Sequence, residues 1–286
     1  MFKAATLVSY HGMREQGFDA WWRLQGAYPD IEVVLDSGAF SAANTGVPIG
    51  VLEYGRFVRQ YGGRFKWCAN LDVIGDPQAS YRQWRALQDL SGGQLVPVLH
   101  YGSDHRWIER YASDGAPRMA FGGLVPHMAK LAHARPDCPV TKWVSGAWEV
   151  AKQAGLVVHG FGVASPRIIA AYPWESCDSS SAHHYARRRQ NWILDSNGKR
   201  VRLDSQTGGL SADELNMMDR FEVQYVEGVH GKYGMARGKR LTSVATSMLQ
   251  SVELVGYPSG FVMMFALPNA AERHVLFDVS RAWNAR

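Results

Sequence analysis

The chain has 286 residues, of which 46% are hydrophobic and 20% are charged. That length supports a full hydrophobic core and suits one α/β barrel, which we favour over two smaller domains. The longest apolar stretch, residues 260–267, is too short to span a bilayer, and Met1–Lys3 does not open a secretory signal peptide. We therefore expect a cytoplasmic protein with no membrane partner. The three cysteines, Cys68, Cys138 and Cys177, are odd in number and widely spaced, which excludes a disulfide framework and a Cys-x-x-Cys zinc clamp.

Positive charge is concentrated in one segment. The net charge is +5, and residues 186–240 contain 11 Lys and Arg against 7 Asp and Glu. A basic segment interleaved with Tyr and Gly is able to follow a phosphate backbone, and the alternative is a solvated helix face or loop. The candidate nucleic-acid-binding residues are Arg187, Arg188, Arg189, Lys199, Arg200, Lys232, Arg237, Lys239 and Arg240.

Strands and helices alternate along the chain. Apolar runs predict eight strands, at residues 5–10, 33–36, 65–71, 94–100, 118–121, 156–161, 174–177 and 260–267. Helical patterns fall at residues 18–24 with Asp19 as N-cap, then at 51–61, 77–90, 104–112, 140–154, from Ser165-Pro166, and at 211–228, 241–255 and 268–283. Asn197-Gly198 predicts a hairpin turn within residues 191–203. The pattern predicts an α/β fold, a TIM (β/α)8 barrel formed by a single domain, residues 1–286. It carries an inserted β-hairpin and extra helices between strands 7 and 8, in a basic insertion at about residues 186–240.

Six of the apolar runs end in a polar or glycine signature. These strand ends include Asp36, Asp72, His100, Gly122-Gly123 and Asp178. Because parallel strands direct their carboxyl ends to one face, we expect one site with three carboxylates, one imidazole and glycine-lined loops.

Each of these residues also has a structural interpretation. An Asp that ends a strand is often a helix N-cap or a turn residue, and Asp178 precedes a helical pattern that begins near Ala182. His100 is interpreted equally well as a core histidine, Gly122-Gly123 as a tight turn, and Phe40 as a packing residue. The residues alone leave these alternatives open.

Six motifs stand at the strand ends: Leu35-Asp36-Ser37-Gly38-Ala39-Phe40, Asn70-Leu71-Asp72, Val98-Leu99-His100-Tyr101-Gly102, Phe121-Gly122-Gly123-Leu124, Gly162-Val163-Ala164-Ser165-Pro166 and Cys177-Asp178-Ser179. In the order and spacing of these motifs, residues 30–180 resemble the tRNA-guanine transglycosylase superfamily. Residues 254–277 resemble the last strand and helix of that family. The resemblance implies a TIM barrel that exchanges a purine base at a nucleoside of a polynucleotide.

The resemblance also implies roles for single residues. Asp178 falls at the position of the nucleophile that attacks C1′, and Asp36 at that of the aspartate that handles the proton of the base. Asp72 matches the aspartate that recognises the purine, and His100 replaces a glutamine that contacts the base. Gly122 and Gly123 would let backbone amides approach the base. Ser37 and Phe40, in the motif of Asp36, are expected to contact the base.

Departures from the family direct the prediction to one branch. The Cys-x-Cys-x-x-Cys motif and the distant His that bind structural zinc in the tRNA enzymes are missing from the sequence. We therefore expect no structural zinc and no cofactor besides a 7-deazaguanine base as co-substrate. The chain is most similar to the DNA-guanine transglycosylases of bacterial and phage modification systems, which insert 7-deazaguanines such as 7-cyano-7-deazaguanine (preQ0) into DNA.

In the DNA branch the target guanine has to be flipped out of the duplex. The basic segment and the hairpin would then hold the DNA strand. A partner protein that helps to open the duplex remains a possibility. Two alternatives remain. One is a tRNA-guanine transglycosylase, and the other is a non-catalytic nucleic-acid-binding paralogue, in which Asp36 and Asp178 need not lie at the same end of the barrel.

Overall fold

The structure is a computed structural model that describes residues 1–93, 95–132, 137–187, 190–194, 200–204, 237–267 and 273–286. Its strands are β1 (Lys3–Ser9), β2 (Val33–Asp36), β3 (Cys68–Ala69), β4 (Leu95–Val96), β5 (Val98–His100), β6 (Arg118–Gly122), β7 (Val157–Gly160), β8 (Ser176–Ser179), β9 (Gln190–Leu194), β10 (Arg200–Asp204) and β11 (Val262–Leu267). Its α-helices are α1 (Tyr10–Gln16), α2 (Phe18–Ala27), α3 (Ala39–Thr45), α4 (Val51–Tyr61), α5 (Pro77–Ser91), α6 (Arg106–Ser113), α7 (Met128–Ala132), α8 (Pro139–Gln153), α9 (Pro166–Ala171), α10 (Ser181–Arg187), α11 (Arg237–Val255) and α12 (Arg273–Asn284). Short 3-10 turns occupy Gly62–Arg64 and Val125–His127.

Nine strands form one parallel sheet that is nearly closed into a barrel. The strand order is β4-β3-β2-β1-β11-β8-β7-β6-β5. The two end strands, β4 and β5, are separated in the chain by Pro97 alone, and they pair with β3 and β6 respectively. The carbonyl of Pro97 accepts a hydrogen bond from the amide of Ala120 at 2.8 Å. The two ends of the sheet are thus joined by the chain itself, as in a TIM-like barrel.

Side chains alternate between two cores, because successive residues of a strand point to opposite faces. Residues from seven of the nine sheet strands or their flanks fill the inside of the barrel: Ala5, Leu7, Val34, Trp67, Ala69, Val96, Val98, Ala120, Val262 and Met264. The other face of the sheet packs on the helices in a larger apolar cluster that includes Leu35, Leu99, Phe121 and Cys177.

Local sequence explains the best-defined helices. Helix α5 begins with Pro77 in its first turn, and the Asp76 carboxylate accepts a hydrogen bond from the Ala79 amide at 2.8 Å, as an N-cap does. Helix α4 is tied to the sheet because the buried Tyr54 hydroxyl donates to the Ala69 carbonyl at 2.6 Å. Both helices agree with the predicted segments to within one residue.

Strands β9 and β10 form an antiparallel ribbon, in which Leu194 pairs with Arg200. The ribbon matches the predicted hairpin, while its turn at Asn197-Gly198 lies outside the described residues, as does the predicted helix at 211–228. Strand β9 and helix α10 pack against α11. Within the described residues, no helix combines the length and the apolar character that crossing a membrane requires.

Several local predictions were wrong. The seventh strand was predicted at residues 174–177, and the structure has it at Ser176–Ser179. Tyr10 begins α1 and does not extend β1, since its hydroxyl turns to the Glu53 carboxylate at 2.6 Å. Asp19 lies in the first turn of α2, whose N-cap is Gly17. The third strand has two residues, Cys68–Ala69, where seven were predicted.

Gly160 is expected to be required for packing between β7 and β8. A Cβ at this position would lie 2.8 Å from Val163 Cγ2 and 3.1 Å from Cys177 Sγ. We predict that Gly160→Ala lowers the free energy of unfolding by about 1–3 kcal/mol, because these neighbours are buried and have no free space. Chemical denaturation measures the change.

Gly26→Ala is the matched control, since a Cβ at Gly26 in α2 meets nothing within 4 Å. Ala replaces Gly in a helix there, so this variant should be about 0.5–1 kcal/mol more stable than the wild type. Equal effects of the two substitutions would contradict the packing argument.

Candidate active site at the carboxyl ends of the strands

The acidic strand-end residues lie at one end of the barrel. Asp36 is the last residue of β2, Asp178 is the third of the four residues of β8, and Asp72 follows β3 by three residues. His100 and Gly122 end β5 and β6. Because all strands of the sheet are parallel, these positions share its carboxyl end.

Alternation along the strands directs these side chains inward. Val34 and Val98 belong to the interior cluster, so Asp36 and His100, two residues further along, face the same way. The interior therefore changes from apolar to polar at the point where the strands end. Asp36 and Asp178 lie at this same end, which is the geometry that the enzymatic interpretations require.

Asp36 is held in conditions that favour its protonated form. Burial, followed by the negative charges of Asp72 and Asp178, raises the pKa of Asp36 from 3.8 to about 7. Hydrogen bonds from the backbone of Ser37 and Gly38 oppose the rise, and the Gly38 amide donates to Oδ2 at 3.1 Å. A carboxyl group with this pKa exchanges its proton readily near neutral pH, as acid and base catalysis requires.

Asp178 is 6% exposed, and its carboxylate is bound through Oδ1. The Gly162 amide donates to Oδ1 at 2.8 Å, and His159 Nε2 lies 3.3 Å from the same oxygen. At the N-terminus of α10, the Ser179 hydroxyl accepts a hydrogen bond from the Ser181 amide at 3.0 Å. The cap role considered for Asp178 is therefore taken by its neighbour.

Gly162 is needed for that approach to Asp178. Its φ is +69°, a conformation that disfavours side chains, and a Cβ there would lie 2.2 Å from Val125 Cγ2. A glycine at the end of the loop after β7 thus allows a backbone amide to reach a carboxylate on the neighbouring strand.

His159 is a member of the site that the strand-end motifs did not single out. It is fully buried on β7, and its Nδ1 lies 2.8 Å from the Ser176 hydroxyl. Its signal in the sequence is a polar residue inside the apolar run of residues 156–161. Strand pairing determines that His159 lies beside Ser176, because the two residues are partners in the β7–β8 register.

Asp72 and His100 form a second pair. His100 Nε2 is hydrogen bonded to Asp72 Oδ2, and the side chain of Asp72 is 7% exposed. Gly122 and Gly123 border this histidine, since a Cβ at Gly123 would lie 3.4 Å from His100 Nδ1 and one at Gly122 3.5 Å from its Cε1. Both glycines thus lie beside the imidazole, and Asp72 Oδ1 is the carboxylate oxygen that does not take part in the pair with His100.

Ser37 and Phe40 differ in accessibility. Ser37 is 1% exposed and its hydroxyl accepts from the Ala39 amide at 3.3 Å, at the start of α3. Phe40, in the first turn of α3, is 71% exposed. Its ring is available for stacking at the end of the barrel that holds Asp36.

The basic candidates fall in and around the ribbon. Arg187 ends α10, Arg200 begins β10, and Arg237, Lys239 and Arg240 lie in the first turn of α11. Arg188, Arg189, Lys199 and Lys232 lie outside the described residues. Among the residues that the structure describes, no group of three or more His, Cys, Asp or Glu is arranged to hold a metal ion.

A separate cavity of about 540 Å³ lies at the opposite end of the barrel. It is lined by residues that precede β2 and β3, among them Glu32 and Lys66, whose side chains pair at 2.7 Å. Trp22 and Arg64 also line it, with the guanidinium 4.6 Å from the ring centroid. The strand-end carboxylates do not take part in this cavity.

We predict that Asp36→Asn stabilises the protein increasingly as pH rises. The pKa of Asp36 is higher in the folded protein, about 7, than its ordinary value of 3.8. The wild type therefore holds a stabilising proton at low pH and loses it as pH rises through 7. The free energy of unfolding of the variant minus that of the wild type should increase by roughly 2–4 kcal/mol between pH 4 and pH 8. Chemical denaturation at each pH measures this difference.

Asp30→Asn is the control of opposite sign. A hydrogen bond from Arg281 lowers the pKa of Asp30, so this carboxylate contributes stability that is present at higher pH and lost as pH falls. The stability of Asp30→Asn relative to the wild type should therefore be nearly constant from pH 4 to pH 8 and should rise only as pH falls below about 3.8. A pH-independent effect of Asp36→Asn would contradict the electrostatic account of the site.

No protein-family model matches the sequence, and no curated protein matches it. A function for this protein is therefore inferred from the geometry of the carboxylates at the carboxyl end of the barrel and from the order of the strand-end motifs.

Proposed function

We propose that the protein is a DNA-guanine transglycosylase that replaces guanine in DNA with a 7-deazaguanine base such as 7-cyano-7-deazaguanine. The observation that carries the proposal is the grouping of Asp36, Asp72 and Asp178 at one end of the barrel, where burial, followed by the charges of Asp72 and Asp178, raises the pKa of Asp36 to about 7. One carboxylate that stays charged and one that cycles a proton are the two groups that base exchange needs.

The same proposal includes a complete (β/α)8 TIM barrel. In it β4 and β5 are the two halves of the fourth strand, interrupted at Pro97, and β8 and β11 are the seventh and eighth strands. The ribbon β9–β10 and helix α11 then lie in the connection between the seventh and eighth strands. This connection leaves β8 at its carboxyl end, where the carboxylates lie, and enters the parallel strand β11 at its amino end.

In the first half of the reaction, Asp178 attacks C1′ of the target nucleotide. A C1′–O bond forms as the C1′–N9 bond breaks, and the bonding electrons pass to guanine, which takes a proton from Asp36 and leaves as a neutral base. The charge of the carboxylate also stabilises the positive character that develops at C1′.

In the second half, the 7-deazaguanine gives the proton on its N9 to Asp36 and attacks C1′ through N9. The C1′–O bond to Asp178 breaks and the carboxylate is restored. The proton that Asp36 donated to the first base is thereby recovered from the second, so the cycle closes without a net change of protonation. A pKa near 7 serves both directions of this transfer.

Asp72 and His100 are proposed to select the base. The carboxylate oxygen of Asp72 that does not face His100 accepts hydrogen bonds from the N1–H and exocyclic amine that guanine and its 7-deaza analogues share. Both bases present the same edge to this pair, so one pocket serves the leaving and the entering base.

The basic residues around the ribbon are proposed to bind the DNA backbone. C1′ of a paired nucleotide does not reach the mouth of a barrel in a closed duplex, so the target guanine is flipped out. Phosphate contacts of this kind make binding weaker as salt increases.

A base-exchange assay tests the proposal. Purified protein is offered labelled 7-cyano-7-deazaguanine with double-stranded DNA, or with bulk tRNA. We expect label to enter DNA, and Asp178→Asn to lower the rate more than about 10⁴-fold, because it removes the nucleophile. Asp89→Asn, on the exposed face of α5, should keep the wild-type rate.

Each other outcome of the assay has a defined meaning. Label that enters tRNA and not DNA would assign the protein to the RNA branch. Label that enters neither polymer would contradict the proposed activity of the isolated chain, and full activity of Asp178→Asn would remove its assigned nucleophile.

Phe40 supplies a second prediction for the same assay. Because its ring is exposed and at the mouth, Phe40→Ala should change the free energy of unfolding by less than about 0.5 kcal/mol. Loss of stacking on the base should raise KM for the 7-deazaguanine about 5- to 100-fold, since base stacking on an aromatic ring contributes about 1–3 kcal/mol. Leu254→Ala is the control, since Leu254 is also exposed, to 62%, on α11, and it should leave KM unchanged.

A further inference from the structure

His159 occupies an unusual position for a histidine. Its side chain is 0% exposed inside the barrel, where its ring centroid lies 5.0 Å from that of Trp67 and 4.7 Å from that of Phe161, both edge-on. Burying an imidazole among aromatic rings is unfavourable unless its nitrogens are hydrogen bonded. Both nitrogens of His159 have partners, and both partners lie on β8.

The partners determine which nitrogen carries the proton. Nε2 lies 3.3 Å from Asp178 Oδ1, and an ionised carboxylate is only able to accept, so Nε2 is the protonated nitrogen. Nδ1 lies 2.8 Å from the Ser176 hydroxyl, which is able to donate to this nitrogen or to accept from it. Ser176, His159 and Asp178 thus form a chain of hydrogen bonds in which the imidazole donates to the carboxylate.

This chain acts on one oxygen of the carboxylate. Oδ1 of Asp178 is approached by His159 and by the Gly162 amide at 2.8 Å. In the part of the chain that the structure describes, both hydrogen bonds of this carboxylate are made by Oδ1. Two donors on one oxygen fix the rotation of the carboxyl group and direct Oδ2 away from them.

We propose that His159, held by Ser176, is the positioning residue that selects Oδ2 of Asp178 as the nucleophilic oxygen and orients it toward C1′. The inference rests on the proposed transglycosylase function, in which Asp178 forms the covalent bond. His159 does not touch the sugar or the base. It acts through Asp178, as a donor that limits the carboxylate to one orientation before substrate arrives.

Substitutions separate positioning from packing. His159→Phe keeps an aromatic ring among Trp67 and Phe161 and removes the donor. His159→Gln keeps an amide N–H at the reach of Nε2. We expect His159→Phe to lower kcat about 100-fold with KM changed less than about 3-fold, and His159→Gln to recover most of that loss, since misplacement of a reacting group costs about 100-fold in rate.

Val158→Ala is the matched control. Val158 is fully buried on the same strand, on the opposite face of the sheet, among the residues that pack on the helices. It should lower the stability of the protein and leave kcat unchanged. If kcat of His159→Gln is as low as that of His159→Phe, or if neither differs from the wild type, the positioning role is wrong.

A spectroscopic readout tests the hydrogen bonds without the reaction. In protein labelled with 15N at histidine, the ring of His159 should show a proton on Nε2, assigned by the loss of its signals in His159→Gln. Ser176→Ala and Asp178→Asn should each shift these signals. A ring without a proton on Nε2 would contradict the inference.

The two measurements distinguish the two hypotheses. Wild-type protein that transfers label to neither DNA nor tRNA contradicts the proposed function, and the ring spectrum then decides the hydrogen-bond arrangement by itself. Wild-type exchange that is unchanged in His159→Phe contradicts the positioning role and leaves the proposed function intact.

Discussion

The parallel direction of every strand in the barrel sheet is the constraint on which the rest of the structure depends. It brings all carboxyl ends of the strands together, and the two-residue repeat of side chains then sends alternate residues into a narrow interior. Below the strand ends that interior is filled by apolar side chains such as Val34, Val98 and Met264. Polar groups collect in the last layer, at the carboxyl ends of the strands.

Grouping three carboxylates in that layer is electrostatically unfavourable, and the protein resolves the repulsion in three different ways. Asp36 has its pKa raised to about 7, so it carries a proton much of the time near neutrality. Asp178 accepts hydrogen bonds on one oxygen from the Gly162 amide and His159. Asp72 is paired with His100. The three aspartates therefore differ in their environments, and this difference supports the roles proposed for them as acid, nucleophile and recognition group.

Backbone geometry makes this arrangement possible. A side chain at Gly162 would collide with Val125, so only glycine lets that amide reach Asp178. Gly160, two residues earlier, is equally confined by Val163 and Cys177. On the other side of the barrel end, Gly122 and Gly123 lie beside the His100 ring. The requirement for glycine is therefore clearest at Gly160 and Gly162, next to the strand that carries Asp178.

Much of the architecture follows from local sequence. Helices α4 and α5 were predicted to within one residue, because periodic apolar residues and the Asp76-Pro77 start are local signals. The ribbon β9–β10 was also predicted. Helix α3 was missed, because residues 39–45 lack an apolar repeat and its start depends on the turn at Ser37-Gly38. Strand three was predicted too long, because an apolar run does not show how many of its residues find a partner strand.

The candidate site divides in the same way. The sequence by itself determined that Asp36, His100 and Asp178 end apolar runs, and the parallel-strand rule implies that such residues share one end of a sheet. The tertiary structure alone decided that His159 meets Ser176 and Asp178, that His100 pairs with Asp72, and that the pKa of Asp36 rises. These contacts and this pKa depend on the register between strands and on charges that are distant in the chain. The local pattern of residues encodes neither the register nor the position of those charges.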